Sequence, residues 1–174
     1  MSNDRFGSWC SGIGGADEGV YDLAVPIFGY EIDSNLVAIG QANHSHIKQR
    51  DVTTIPLPDY KFVNIFHIST PCQNFTTVNP KANEKIADIE IAENTVNYIA
   101  KINPDFVTLE NVNEYSGSKS FEIIIKQLRE QYKHVIVEVL NFKDYGLPQN
   151  RRRLIVRASN RTLTELPKKR SVGW

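Results

Sequence analysis

Short apolar runs rich in β-branched and aromatic residues recur at 25–30, 63–68, 106–109, 135–140 and 154–156, with helix-like stretches between several of them. Alternation of that kind predicts an α/β fold built on a parallel sheet, because parallel neighbours need a crossover connection. Residues 90–102 place Ile91, Thr95, Tyr98, Ile99 and Ile102 on one helical face, and Asn103-Pro104 ends that helix. Ser120 is the candidate cap of the next helix, which runs through Phe121, Ile124, Ile125 and Leu128 before His134 opens a strand.

Sheets of this kind bind ligands beyond the carboxyl ends of their strands, where strand order reverses. The chemically suggestive residues fall at such ends. Cys10-Ser11-Gly12-Ile13-Gly14-Gly15 forms a Gly-rich loop before a helix, and Glu31 and Asp33 end the second predicted strand. Cys72 follows the run ending at Ser69, and Glu110 closes the run ending at Leu109. Residues distant in sequence therefore converge on one edge.

Composition narrows the class without naming a partner. At 174 residues, 41% hydrophobic and 23% charged, the chain suits one soluble globular domain. Lys plus Arg equal Asp plus Glu at 20 each, so no global positive field advertises nucleic acid. Locally Arg151, Arg152, Arg153, Arg157, Arg161, Lys168, Lys169 and Arg170 crowd the last quarter, a solvated surface or a phosphate-facing one. Two cysteines cannot build a disulfide framework, and the N-terminus lacks a secretory layout, so a reducing cytoplasm is expected. No apolar stretch approaches the ~18 residues that span a bilayer, so no membrane role is expected.

Each motif carries a chemical possibility beside a structural one. Gly12, Gly14 and Gly15 permit a tight turn and close backbone approach to a nucleoside-like ligand, or serve the turn alone. Glu31, an acid about 20 positions on, suits ribose hydroxyls. Asp51 is an acceptor or a turn residue. A lone cysteine defaults to a small buried hydrophobe, which fits Cys10, whereas the polar string from Ser69 to Thr76 around Cys72 does not read as core. Glu110 at a strand end is a proton donor or a surface acid. Arg151 and Arg153 alternate along an extended segment and share a face, while Arg152 points away.

Four ordered strings, Cys10 to Gly15, Pro71-Cys72-Gln73, Glu110-Asn111-Val112 and Gln149-Asn150-Arg151-Arg152-Arg153, together resemble the cytosine-C5 DNA methyltransferase family. The resemblance implies a Rossmann-like fold with helices on both sheet faces, S-adenosyl-L-methionine as cofactor, and DNA with a flipped cytosine as substrate. It assigns Cys72 as nucleophile on carbon 6, Glu110 as the group meeting ring nitrogen 3, and Arg151 and Arg153 as contacts of the base, its phosphate or the nucleophile loop. Cys10, Ser11, Gly12, Ile13 and Gly15 would border the methionine part, Glu31 the ribose, Asp51 the adenine amino group, and Ile32 and Val52 the adenine faces, with Pro71 adjoining. No metal is called for. The chain departs from the common pattern at Ser8 and Cys10, where the family has aspartate and phenylalanine, and at Ser69, Thr70 and Asn74, where glycine, an aromatic and proline or alanine are commoner.

By the same resemblance, residues 1–174 read as one methyltransferase catalytic domain, truncated or split before the target-recognition region, since the string ends at Val172-Gly173-Trp174. A second polypeptide carrying that region, or a homodimer, would then complete it. Two other readings stand beside this one: a catalytically silent cofactor- or DNA-binding remnant, and an RNA cytosine methyltransferase.

Overall fold

A computed structural model describes residues 4–56, 59–75 and 83–170. Its strands are β1 (Arg5–Trp9), β2 (Val25–Glu31), β3 (Ile47–Gln49), β4 (Ile65–Ile68), β5 (Phe106–Asn111), β6 (His134–Asn141) and β7 (Arg152–Ser159). Its α-helices are α1 (Gly15–Gly19), α2 (Ser34–Gln41), α3 (Ile86–Ile102) and α4 (Lys119–Gln131). The strands form one sheet in the order β3-β2-β1-β4-β5-β7-β6. All run parallel except β7, which is antiparallel to both β5 and β6. The chain thus builds outward in one direction from β1 to β3 and in the other from β4, which puts the reversal of strand order between β1 and β4.

The apolar runs locate their strands, but β1 and β3 carry no such run. In β1 the alternation is Gly7 against Trp9 on one face and Phe6 against Ser8 on the other. Gly7 is small because the Phe28 ring occupies the place its Cβ would take. Ser8 is polar because it meets a buried carboxylate, described below. β3 is only Ile-Lys-Gln, with the isoleucine buried and the other two exposed. The cap of α4 also differs from expectation: Ser118 is the N-cap, accepting from Phe121 N at 3.0 Å, and Ser120 lies buried inside the first turn. Asn103 closes α3 in a left-handed conformation with φ 50°, and Pro104 after it cannot continue the helix.

Helices α3 and α4 cover one sheet face. Tyr98, Ile99, Phe121, Ile124 and Leu128 pack there against Phe66, Ile68, Val107, Leu109, Leu154 and Val156. Each such fully buried side chain contributes roughly 1.5–3 kcal/mol relative to exposure. An aromatic cluster of Trp9, Phe28, Phe66 and Tyr98 locks β1, β2 and β4 to α3, with ring centroids 4.4–6.1 Å apart. The opposite face carries α1 and α2 over β1, β2 and β3, where Ile47 fills the space left by Gly14 and Gly40. No helix among the described residues is long and apolar enough to cross a membrane.

Candidate active site

The carboxyl ends of β1, β2, β4 and β5 open onto a cleft of about 480 Å³, within the range of small-ligand sites. Its walls bring together most of the residues singled out by sequence. Cys10, Gly12, Glu31, Ile32, Asp51, Val52 and Pro71 line it, and so do Cys72, Glu110, Arg151 and Arg153. Ser11, Ile13 and Gly15 instead face an adjoining cavity of about 570 Å³, which shares Cys10, Gly12, Ser69, Glu110 and Arg151 with the first. Thr76, the last residue of the string around Cys72, lies outside the described residues.

The Gly-rich loop turns sharply at the end of β1. Cys10 takes φ 55° there, a conformation rare for a residue with a Cβ, and Gly12 takes the same value without that cost. Ser11 N donates to the Tyr30 carbonyl at 3.0 Å, tying the loop to β2. Gly12 N donates to Glu31 Oε2 at 2.8 Å, while Ile32 N and Asp33 N donate to Oε1 at 2.8 and 3.0 Å. Glu31 is only 8% exposed, so its carboxylate organises the loop and the β2 terminus together. Beneath the loop, Asp17 is fully buried; Ser8 Oγ lies 3.1 Å from both its oxygens, and His46 Nε2 lies 2.7 Å from Oδ1. The buried carboxylate therefore comes from α1, opposite a serine on β1.

On the same side of the cleft, Asp51 caps a 3₁₀ turn, its Oδ1 accepting from Thr53 N and Thr53 Oγ1 at 2.9 and 2.7 Å. Arg50 lies over the Tyr30 ring, 5.5 Å from its centroid, and pairs with Asp59 at 2.9 Å. Tyr30, Leu36 and Arg50 are lining residues that no sequence motif marks. Ile32 is 62% exposed, an apolar side chain at the rim.

The thiols differ sharply. Burial, and then the charges of Glu31 and Asp51, push the Cys10 thiol up to about 12. Cys72 is exposed, in a turn where Phe75 N donates to the Cys72 carbonyl at 3.0 Å. Glu110 at the end of β5 faces two arginines: Arg153 Nε is 2.8 Å from Oε1 and Arg151 Nη2 is 3.7 Å from it. The antiparallel pairing of β7 with β5 makes this possible, since Asn111 lies opposite Leu154 and Arg153 precedes it. Arg152 is exposed. Ser69 Oγ donates to Glu110 Oε2 at 3.0 Å, and buried Asn111 donates to the carbonyl and hydroxyl of Thr70. His67 is held at Nδ1 by Thr108 Oγ1 at 2.8 Å, and burial lowers its proton affinity despite the opposing pull of Glu110 and Asp17.

An exposed thiol, a carboxyl group held between guanidinium groups and a hydroxyl, and an acid-bearing glycine loop thus border one cleft. That set offers a nucleophile, a hydrogen-bonding acid and acceptor oxygens to a ligand in the cleft.

The family model for C-5 cytosine-specific DNA methylase matches residues 5–171. The type II methyltransferase M.NlaX of Neisseria lactamica is 30% identical over 156 residues, which cover 83% of this chain and 48% of that protein. The tRNA (cytosine(38)-C(5))-methyltransferase of Schizosaccharomyces pombe is 24% identical over 151 residues, covering 82% of this chain and 46% of its own length. Among solved structures, the S. pombe Dnmt2 methyltransferase aligns with a TM-score of 0.78 at 23% identity, over 94% of this chain and 53% of that one. The chain spans about half the length of the relatives it matches.

Proposed function

This chain belongs to the C-5 cytosine-specific DNA methylase family, and we propose that it methylates carbon 5 of cytosine in DNA using S-adenosyl-L-methionine. The observation that carries the reading is the single cleft bordered by Cys72, Glu110, Arg151 and Arg153 on one side and by Gly12, Glu31 and Asp51 on the other. The pocket residues fit a nucleoside-bearing cofactor. Glu31 Oε2, which accepts one backbone bond where Oε1 accepts two, keeps acceptor capacity for a ribose hydroxyl, and the hydrogen bonds of Asp51 run through Oδ1. Ile32 and Val52 offer apolar contact to a purine, and Gly12 and Gly15 admit backbone close to the methionine part. Cys10 and Pro71 line the same cleft. When bound, the cofactor supplies an electrophilic methyl carbon and leaves as its thioether.

Cytosine carbon 5 is a poor nucleophile until the ring loses aromaticity. The Cys72 thiolate adds to carbon 6, forming a C–S bond and sending the ring electrons toward carbon 5. Glu110 hydrogen-bonds nitrogen 3, where negative charge accumulates, and Arg151 and Arg153 hold Glu110 and the base oxygen. After carbon 5 is methylated, its proton passes to water and the C–S bond breaks, returning the thiolate and the aromatic ring. Because Cys72 is exposed, a flipped cytosine needs a further protein wall. We assign that wall to protein outside these residues, on the same chain, a partner chain or a second copy, so the 174-residue chain alone acts weakly on duplex DNA. The S. pombe tRNA methyltransferase match favours an RNA substrate as the second reading.

Deuterated-methyl cofactor incubated with duplex DNA, single-stranded DNA and transfer RNA, followed by mass spectrometry of the nucleosides, tests the proposal. Labelled 5-methylcytosine from DNA, lost in Cys72→Ala, is expected. Label confined to RNA would select the second reading, and a methyl group on an exocyclic nitrogen would overturn both.

A further inference from the structure

The two residues that precede Pro71-Cys72 both reach across from β4 to the end of β5. Ser69 Oγ donates to Glu110 Oε2 at 3.0 Å. Asn111 Nδ2 donates to the Thr70 carbonyl at 2.9 Å and to Thr70 Oγ1 at 2.7 Å. A third bond, from Asn74 Nδ2 to buried Asp88 Oδ2 at 2.9 Å, ties the far side of the loop to the start of α3. These three positions are also the ones at which the loop departs from the commoner family pattern. Only Ser69 bonds to a group that the proposed chemistry uses directly.

The arginines alone do not fix that group. Arg153 and Arg151 both act on Oε1, and the terminal torsion of a glutamate is soft, so a carboxyl group gripped at one oxygen still swings. Ser69 grips the other oxygen. A hydroxyl is suited to the task because it can donate to Oε2 of the carboxylate and of the carboxylic acid alike, leaving the acid's single O–H for the base. It therefore holds Glu110 whether or not the proton is present.

We propose that Ser69 is a positioning residue for methyl transfer: its hydroxyl, by bonding Glu110 Oε2, sets the plane in which the Glu110 carboxyl group meets the ring nitrogen of the target base. The inference rests on the methyltransferase reading above. It places the effect in the chemical step rather than in binding, because Ser69 acts through Glu110.

The test uses the 174-residue chain as wild type, Ser69→Ala and Ser69→Thr, with S-adenosyl-L-methionine and a single-stranded oligodeoxynucleotide containing 5-fluorocytosine. The single strand removes most of the flipping cost, and the fluorine blocks release of Cys72. The saturating rate of covalent capture is expected to fall about tenfold in Ser69→Ala, with the half-saturating oligonucleotide concentration unchanged, and to return in Ser69→Thr. In the free proteins, the carbon-13 resonance of the Glu110 carboxyl group, assigned through Glu110→Gln, is expected to move in Ser69→Ala and return in Ser69→Thr. An unchanged capture rate or an unmoved resonance in Ser69→Ala overturns the inference, as does a threonine variant that behaves like alanine. Capture absent from all three proteins while the cofactor binds overturns the methyltransferase reading itself, and the inference falls with it.

Discussion

Replacing Glu31 by glutamine should destabilise the protein even before any cofactor is added. Three backbone N–H groups converge on this side chain, at 2.8 Å from Gly12, 2.8 Å from Ile32 and 3.0 Å from Asp33. A hydrogen bond to a charged acceptor is worth about 1.5–3 kcal/mol and a neutral one about 0.5–1.5. Glutamine keeps one oxygen, which can serve Ile32 and Asp33 with a loss of roughly 1 kcal/mol each. Its amide nitrogen then faces Gly12 N, donor against donor, leaving a part-buried N–H unpaired at about 1–3 kcal/mol. Local relaxation recovers some of this, so a net loss of about 3 kcal/mol is expected. Urea unfolding followed by circular dichroism measures it as a lower midpoint at unchanged slope, and the melting temperature should drop by about 9 °C. Saturating S-adenosyl-L-methionine should widen the gap, because a ligand stabilises only the state that binds it. A loss below about 0.5 kcal/mol without cofactor would refute the claim that Glu31 holds the loop together.

Thiol labelling should separate the two cysteines. Cys72 is exposed while the Cys10 thiol is pushed up to about 12 by burial and by Glu31 and Asp51, so iodoacetamide at pH 8 should modify one thiol in the native protein and two in denaturant; rapid native labelling of Cys10 would contradict this. Burial lowers the proton affinity of His67 below its ordinary value of 6.5, so the unfolded chain takes up that proton first as pH falls. The His67 contribution to stability is therefore complete above 6.5 and erodes below it. Urea midpoints measured from pH 7.5 to 5.5 should consequently fall less steeply in His67→Gln than in wild type, and parallel curves would refute the assignment.

What the sequence makes legible follows from whether a residue's role is local. The strands β2, β4, β5 and β7 announce themselves because their apolar runs fill the core under α3 and α4, whereas the run that locates β6 packs only Val135 against that core and leaves Ile136, Val137 and Val139 exposed. β1 does not, because Gly7 yields its space to Phe28 and Ser8 faces Asp17 from another element. β3 is too short, at three residues, for any pattern to register. Ser118 and Ser120 are both plausible caps by residue type, and only the bond to Phe121 N distinguishes them. At the cleft, motif order anticipates that Cys72, Glu110, Arg151, Arg153 and Glu31 share one edge of the sheet. It does not anticipate Ser69 on Glu110, Thr70 on Asn111 or His46 on Asp17, pairs separated by 41, 41 and 29 positions. Those contacts exist only once β4 lies beside β5 and α1 lies over β1.

Mass spectrometry of the protein after exposure to S-adenosyl-L-methionine and a 5-fluorocytosine oligonucleotide tests the central claim most directly, because it reads the bond on which the mechanism depends. The account predicts a covalent adduct of protein and methylated oligonucleotide, mapped by peptide sequencing to Cys72 and absent from Cys72→Ala. Methyl transfer to cytosine carbon 5 that proceeds undiminished in Cys72→Ala, or an adduct mapped to Cys10, would contradict it.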